Sequence, residues 1–453
     1  MLKFIAAIVI IFVNLSALAL DLQEAMTSAY NNNDAFKISR RTFINEIEQF
    51  PQALAGFLPD VSASVNSSNN KSKNIGQFAT NASERKTLQN NLTVTQSIFS
   101  GGSGVAGLKA AQSAFKASRG KYYASEQQTL LDAIQAYLNY VEAQELYKVS
   151  ESSVNSNKKQ LEAVTERLKV GESTETELAG AKAGLAVAET NMLTSYANLQ
   201  SLKANFIKMF GTEPVNTNMP TIPEGLPSTF DELSKRSLAA NPSIDQVRHT
   251  INAAKANETV AKSTLLPQVN FQVQTGKTLY DPETPAGLFN SATANSKSVT
   301  SSVSVQIPLF TKGGADYSRI RQAKNSTRNT VLQLDDLLKQ NNSNCVSSWE
   351  NFVAAKSKIT ATTQGVEAAQ ISYDGTIEEE KVGSKSILDV LNAEDRLNKA
   401  KTDKVAAYKQ YVLAAYQMKA LIGQLTAKSL KLKVTYFEPE QEFKKAKMKI
   451  IGF

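Results

Sequence analysis

Apolar side chains recur at every seventh position along two long stretches of the chain. In the first stretch the two rows run through Leu178, Leu185, Met192, Leu199 and Phe206, and through Ala181, Ala188, Ser195, Leu202 and Met209. In the second they run through Val390, Leu397, Lys404, Tyr411 and Met418, and through Ala393, Ala400, Ala407, Ala414 and Leu421. Rows with this period, three residues apart, are the a and d positions of a coiled coil. Both stretches are therefore predicted to be long helices that pack along a narrow seam.

Each of these helices is preceded by another stretch with the same period. Before the first helix the row runs through Ala133, Tyr140, Tyr147, Val154, Leu161 and Leu168. Before the second it runs through Cys345, Phe352, Ile359, Val366, Tyr373 and Glu380. No proline falls in 60–213 or 309–438, and proline inside a helix costs ~3 kcal/mol or more. Val-Gly pairs at 170–171 and 382–383 divide each region into two helices, because glycine commonly follows a helix end. The pattern predicts two helical hairpins, with ~100 Å of helix between Gly102 and Gly171.

Four shorter segments alternate between apolar and polar residues, which is the period of a β-strand. They lie near 60–67, 88–99, 268–279 and 299–310. Their polar positions are almost free of charge and rich in Ser, Thr, Asn and Gln, which suits a water-filled lumen with the apolar face toward lipid. A soluble antiparallel sheet packed on helices is the alternative. Four strands cannot close a membrane barrel, so a spanning sheet would need several chains. Polar surface loops are predicted at 67–86 and 281–297.

Several landmarks occur twice in the same order. The segment Phe57-Leu58-Pro59-Asp60-Val61 recurs as Leu265-Leu266-Pro267-Gln268-Val269. The Gly-Gly pair at 101–102 recurs at 313–314, and Lys169-Val170-Gly171 recurs as Lys381-Val382-Gly383. A fixed order of matched landmarks is the signature of an internal repeat. The chain is therefore predicted to contain one structural plan twice.

The N-terminus has the features of a secretory signal peptide. Lys3 precedes an apolar run, and Ala17 and Ala19 form the small-x-small cleavage pattern. No other stretch supplies the ~18 apolar residues of a spanning helix, so membrane insertion of the mature chain is expected to use strands. The predicted divisions are a signal peptide at 1–19, a first repeat at 20–213, a proline-rich linker at 214–229, a second repeat at 230–425 and a basic C-terminal tail at 426–453.

The charge pattern argues against a nucleic-acid partner. The net charge of +8 is spread along the chain, whereas nucleic-acid binding needs a dense basic patch with interleaved aromatic residues. The one local excess lies in the tail, which is expected to be a solvated, mobile end.

Catalytic and metal-binding constellations are hard to build from this composition. His249 is the only histidine and Cys345 the only cysteine, so neither a His-based metal site nor a Cys–His pair fits within one chain. Cys345 falls in a seam row and is predicted to be a small core residue. We expect no enzymatic activity, metal or cofactor.

The duplicated plan, the Leu-Pro-x-Val strand starts, the Gly-Gly corners and the Val-Gly turns together resemble the TolC family of outer-membrane efflux proteins. The resemblance covers essentially the whole mature chain. It implies a mainly α fold with a small β part, assembled as a homotrimer. In that family a 12-stranded barrel, four strands per chain, lies in outer-membrane lipid and continues into a 12-helix periplasmic tunnel. An equatorial region is built from the linker and the C-terminal segment.

The resemblance also implies a gate at the periplasmic helix ends. Asp389 matches an aspartate of a pore-lining ring, and the family's second aspartate is Asn392 here. The family's gate arginine aligns with Lys385, its partner aspartate with Glu177, and its gate tyrosine with Glu380. A Lys385–Glu177 link would keep the charges but lose the arginine fork. The alternative is that these are solvated charges at a hairpin end.

The two Val-Gly turns are the expected contact for partners. The resemblance implies that a periplasmic adaptor engages Val170, Gly171, Val382 and Gly383, and that an inner-membrane transporter supplies the energy for efflux or type I secretion. A soluble periplasmic coiled-coil adaptor or scaffold is the competing interpretation. It would share the signal peptide and the hairpins but would not need the four strands.

Overall fold

The computed structural model describes residues 21–75, 80–280, 295–310 and 312–449. The predicted signal peptide therefore lies outside the described residues. The fold is mainly helical with one small antiparallel sheet, as expected from the sequence. In chain order the elements are α1 (Leu22–Asn32), α2 (Asp34–Ile47), α3 (Gln49–Ala55), β1 (Asp60–Ile75), β2 (Thr80–Ser100), α4 (Ser103–Lys169), α5 (Glu175–Phe210), α6 (Phe230–Ala240), α7 (Pro242–Ser263), β3 (Gln268–Tyr280), β4 (Ser296–Gln306), α8 (Ala315–Lys381), α9 (Ile387–Leu421) and α10 (Pro439–Met448).

The four long helices confirm the two predicted hairpins. Helices α4 and α8 each contain 67 residues, which corresponds to ~100 Å of helix. In the first hairpin Ser150 and Ser195 share a hydrogen bond of 2.9 Å between their hydroxyls. In the second the rings of Phe352 and Tyr411 stack with centroids 5.2 Å apart. In both hairpins the descending helix therefore packs against the ascending one.

The predicted seam is buried at its small and branched positions. Ala181, Val390 and Leu397 lie on it and are each less than 5% exposed. Cys345 is fully buried beside Leu233, Met418 and Ile422, which confirms its expected place in the core. Side chains off the seam, such as Leu193 on α5, stay largely exposed in the single chain. The narrow apolar stripe is typical of a coiled-coil seam.

The sheet has the order β1-β2-β3-β4, with every neighbouring pair antiparallel. Its register places Val61 opposite Val94 and Val94 opposite Val273, so the apolar positions share one face. A register shift at Ser97/Phe99 marks a β-bulge near the end of β2. This end of the strand continues into α4.

The prediction of polar loops at 67–86 and 281–297 was wrong in extent. Strand β1 runs on to Ile75 and β2 begins at Thr80, while β4 begins at Ser296. Residues 76–79 and 281–294 lie outside the described residues. Most residues of 67–75 are Ser, Asn and Lys, which have low strand propensity. They form a strand here because their backbone hydrogen bonds to β2 outweigh that low propensity.

The backbone falls into two compact units. One comprises the described parts of Met1–Arg41, Gly120–Ile244 and Asp336–Phe437, and the other comprises those of Thr42–Arg119, Asp245–Asp335 and Glu438–Phe453. The second unit holds the sheet, and in it Phe443 of α10 stacks on Phe115 with centroids 3.8 Å apart. Phe50 of α3 packs edge-on against Phe443.

The first unit anchors the chain after α9, so the expectation of a mobile tail was wrong for the described part. The Tyr30 hydroxyl accepts a hydrogen bond of 3.0 Å from the amide of Phe437. The Glu126 carboxylate accepts one of 2.7 Å from the amide of Ala427. Leu425 and Leu432 are buried. These contacts were not predicted from the sequence because the segment is rich in lysine and contains few apolar residues.

Candidate functional site at the helix turns

The two turns that join the long helices are built alike. Gly171 follows α4 with φ of 80° and Gly383 follows α8 with φ of 76°. The Gly171 amide donates to the carbonyl of Leu168, and the Gly383 amide donates to the carbonyl of Glu380. A Cβ at either glycine would meet no atom within 4 Å. Glycine is therefore required for the left-handed backbone of a helix C-cap and not for space.

Each turn carries an exposed valine. Val170 is 70% exposed and Val382 is 79% exposed. Both belong to the four residues predicted to contact a partner. Each turn therefore presents an apolar side chain to solvent at a position that the glycine cap fixes.

Capping boxes start both descending helices. The Thr174 hydroxyl accepts from the amide of Glu177, and the Glu177 carboxylate accepts from the amide of Thr174 and from the hydroxyl of Ser173. At α9 the Ser386 hydroxyl accepts from the amide of Asp389 at 3.3 Å. The Asp389 carboxylate accepts from the Ser386 amide at 3.0 Å. Two of the predicted gate residues thus also fix the first turn of a helix.

These hydrogen bonds favour the ionised form of both carboxylates. The Ser173 hydroxyl, the Thr174 amide and the nearby Arg167 lower the pKa of Glu177. The Ser386 amide and hydroxyl, with Lys385 close by, lower the pKa of Asp389. Hydrogen bonds to the charged form favour it. At neutral pH each turn therefore carries a fixed negative charge.

The structure does not bring Lys385 and Glu177 together within one chain. Among the residues that the structure describes, no ion pair joins them, and the Lys385 side chain is exposed. Glu380, a predicted gate residue, instead pairs with Arg167 at 2.6 Å. This ion pair connects the end of α4 to the end of α8, and its Glu380 side chain is only 12% exposed. The sequence pattern did not identify it.

An apolar layer lies beneath the turns. Val164 of α4, Ala181 of α5, and Ile387 and Val390 of α9 form a buried cluster. A Cβ added at Gly184 would lie 2.9 Å from the Leu391 side chain, so α5 and α9 approach closely here. Asn392 lies beside this layer and is exposed. The turns therefore rest on a packed base formed by both hairpins.

A buried carboxylate lies next to this layer. Glu394 of α9 is 4% exposed and accepts hydrogen bonds from Ser153, Asn157 and Gln160 of α4, at 3.1–3.3 Å. Burial raises the pKa of Glu394. The partners lie at i, i+4 and i+7 on one face of α4, a spacing that could have revealed the cluster. The same face borders a groove of about 520 Å³ between α4, α5 and α9.

The described residues meet neither the requirements for a membrane-spanning helix nor those for a metal site. In the described part of the chain, no helix is long and apolar enough to cross a bilayer. The described residues also hold no group of three or more His, Cys, Asp or Glu side chains that could bind a metal.

The outer membrane efflux protein family model matches residues 47–212 and 233–424. Among curated proteins, the outer membrane efflux protein BepC of Brucella suis is 28% identical over 96% of this chain and 92% of its own length. The outer membrane protein TolC of Escherichia coli is 26% identical over 68% of this chain and 64% of its own. The solved CmeC outer membrane channel of Campylobacter jejuni has the same fold, with a TM-score of 0.74, 17% identity and coverage of 94% and 89%. The chain therefore belongs to the outer membrane efflux protein family, and it is an outer-membrane channel-tunnel protein.

Proposed function

We propose that three copies of this chain close into one channel that exports substrates from the periplasm to the exterior. One observation supports a barrel built from several copies, and the family resemblance sets their number at three. In the described residues the sheet is open, with β1 and β4 at its edges. An open edge inside lipid leaves backbone groups unsatisfied, and about eight strands are the minimum for a barrel. Three copies supply 12 strands and pair β1 of one copy with β4 of the next.

The sheet's two faces support a water-filled lumen. On one face the register pairs Ser62 with Thr93 and Thr93 with Gln274, all polar and uncharged. On the other it pairs Val61 with Val94 and Val94 with Val273. In a membrane barrel the polar face lines the lumen and the apolar face meets lipid.

The long helices continue this channel as a 12-helix periplasmic tunnel, formed from the four long helices of each copy. The element order of helices, two strands and two long helices recurs along the chain, and the family model matches two successive segments. Both facts support the proposed internal duplication. A duplicated hairpin gives each copy two similar ends at the periplasmic side.

The gate lies at those ends. Asp389 carries a charge held by its capping box, and three copies would place three such carboxylates around the axis, beside Asn392. We propose that this ring favours cations and that multivalent cations block the channel there. Lys385 and Glu177 would then meet across neighbouring copies. Several links of ~0.2–1 kcal/mol each would hold a closed state that a partner's binding can open.

A periplasmic adaptor and an inner-membrane transporter complete the proposed export route. Val170 and Val382 supply the adaptor's contact, because each presents exposed apolar surface on a rigid turn. The channel itself provides the passage, and the transporter provides the energy.

Electron microscopy of detergent-purified protein tests the assembly directly. We expect a hollow particle with three-fold symmetry and a detergent micelle at one end. Its length should be ~140 Å, from ~100 Å of helix and roughly 40 Å of bilayer-spanning barrel. A solid rod without a micelle would instead support the periplasmic scaffold, an interpretation that membership of the efflux family does not favour. Carbonate washing gives a second test, since a barrel stays with the membrane and a scaffold is released.

A further inference from the structure

Lysines gather at one end of the sheet, on its apolar face. Lys277 of β3 and Lys297 of β4 lie opposite each other in the register. Both side chains are exposed. On the same face, β1 contributes Lys71 and Lys73, and β2 contributes Lys86. This end of the sheet is the one away from the helices, since β2 leaves it toward α4 and β3 arrives from α7.

Lys277 and Lys297 are an unfavourable pair within the protein alone. Residues directly opposite in an antiparallel ladder have Cβ atoms about 4.5–5.5 Å apart, and like charges there are destabilising. Strands β3 and β4 contain no Asp or Glu that could compensate. Lys71 lies opposite Glu84 in the register, so the argument rests on the β3–β4 pair. Two like charges held side by side on a flat surface favour an anion as their common partner.

The pair lies at the boundary of the apolar band. Val299, Val303 and Val305 of β4 are on the same face as Lys297 and are 60–76% exposed. Eight residues separate Val305 from Lys297, or about 26 Å at 3.3 Å per residue. This matches the apolar band of about 25 Å on a membrane barrel. In the proposed barrel, Lys277 and Lys297 would therefore project outward at the level of lipid headgroups.

Apolar residues flank the lysines at that level. Leu88 and Leu279 are paired one step farther along the strands and share the face with Lys277. The surface therefore offers cationic groups beside apolar side chains. An amphiphile that carries phosphate next to acyl chains fits this arrangement better than a soluble anion does.

We propose that Lys277 and Lys297 bind phosphate groups of the glycolipid that forms the outer leaflet of the outer membrane. The inference rests on the proposed barrel, because only there does the apolar face meet lipid. The bound phosphate relieves the repulsion between the two lysines. The lipid then becomes part of the channel wall on the outer surface of β3 and β4.

Native mass spectrometry of the detergent-purified trimer tests the proposal. The probe is bisphosphorylated lipid A, compared with the same lipid after enzymatic removal of both phosphates. The wild type should bind the phosphorylated form preferentially. K277Q/K297Q should bind it about 30-fold more weakly, which corresponds to roughly 1 kcal/mol for each lysine near an anionic surface. K277R/K297R, which keeps both charges, should retain binding.

K158Q/K159Q is the matched control, because it removes two exposed charges from α4 and should leave lipid binding unchanged. Equal binding of phosphorylated and dephosphorylated lipid by the wild type would overturn the proposal, even if the glutamine variant did not assemble. Unchanged binding by an assembled K277Q/K297Q trimer would overturn it as well. Conductance in phosphatidylcholine bilayers separates the two proposals, since a conducting channel without lipid preference leaves the proposed function intact.

Discussion

At the scale of single residues, Asp389 both caps a helix and carries the charge of the proposed ring. Its carboxylate completes a capping box with Ser386, and the same hydrogen bonds lower its pKa. A helix N-terminus favours negative charge, so the position suits a carboxylate even without a pore. A test of the proposed ring must therefore separate the loss of charge from the loss of the cap.

The pair Asp389→Asn and Ser386→Ala makes that separation. D389N removes the charge, whereas S386A removes the hydroxyl of the cap and keeps the charge. We expect D389N to abolish block by multivalent cations added on the periplasmic side and to reduce cation preference. S386A should retain both while weakening the start of α9 by about 1 kcal/mol. Single-channel recording in planar bilayers measures the block. Equal block in wild type and D389N would show that Asp389 does not form the ring.

The Arg167–Glu380 ion pair should couple the two hairpins near their turns. R167Q and E380Q should each increase the current through the closed channel. In the double variant R167Q/E380Q the increase should be smaller than the sum of the two single effects. The interaction energy from this double-mutant cycle should be about 1 kcal/mol. The exchanged pair R167E/E380R should recover part of the closed state. Glu166 and Lys169, an exposed pair within α4, provide the control. Additive effects at Arg167 and Glu380 would mean that the link does not hold the gate.

At the scale of elements, the turns and the helices make different demands on the sequence. The helices need a repeating seam, while the turns need glycine at Gly171 and Gly383 and capping residues after it. Val170 and Val382 contribute neither to the seam nor to the caps, since both side chains are mostly exposed. This exposure is the basis of the proposed adaptor contact.

Replacing both valines with aspartate should separate export from assembly. V170D/V382D places charge in the proposed adaptor contact and leaves the glycine caps untouched. We expect export to fall at least tenfold in cells, with trimers still present in membrane extracts. V170T/V382T keeps the side-chain shape and should retain most of the export. Normal export by the aspartate variant would exclude these residues as the contact.

The C-terminal segment should respond to pH through Glu126. Burial raises the pKa of this carboxyl to about 7, so the folded state holds its proton more tightly than the unfolded chain does. The contribution of this carboxyl to stability is therefore greatest when the pH is below the ordinary pKa of a glutamate. It declines as the pH rises toward about 7, by about 3 kcal/mol in all. E126Q still accepts the amide of Ala427 but cannot titrate. Thermal unfolding at pH 5 and pH 8 should show a smaller difference for E126Q than for the wild type. E162Q, at an exposed position on α4, should behave like the wild type, and an equal difference in E126Q would refute the assignment.

At the scale of the whole molecule, the sequence predicted the helices better than the strands. Prolines and the seven-residue period bounded α4 and α8 because both act locally. The residues of β1 beyond Ser67 were missed because their strand conformation depends on pairing with β2. The Arg167–Glu380 and Glu394–Asn157 contacts join residues over 200 positions apart. The spacing of polar residues on α4 could indicate a buried polar cluster, but no local pattern identifies the distant partner of either contact.

The open sheet has a further consequence for genetics. A chain that supplies only a third of a closed wall cannot act alone, so in the proposed trimer each channel contains the products of three separate translation events. When normal and defective copies are made in equal amounts and mix freely, only about one-eighth of the trimers contain three normal chains. A variant that assembles but cannot open, such as one with a locked helix turn, should therefore be dominant over the wild-type allele.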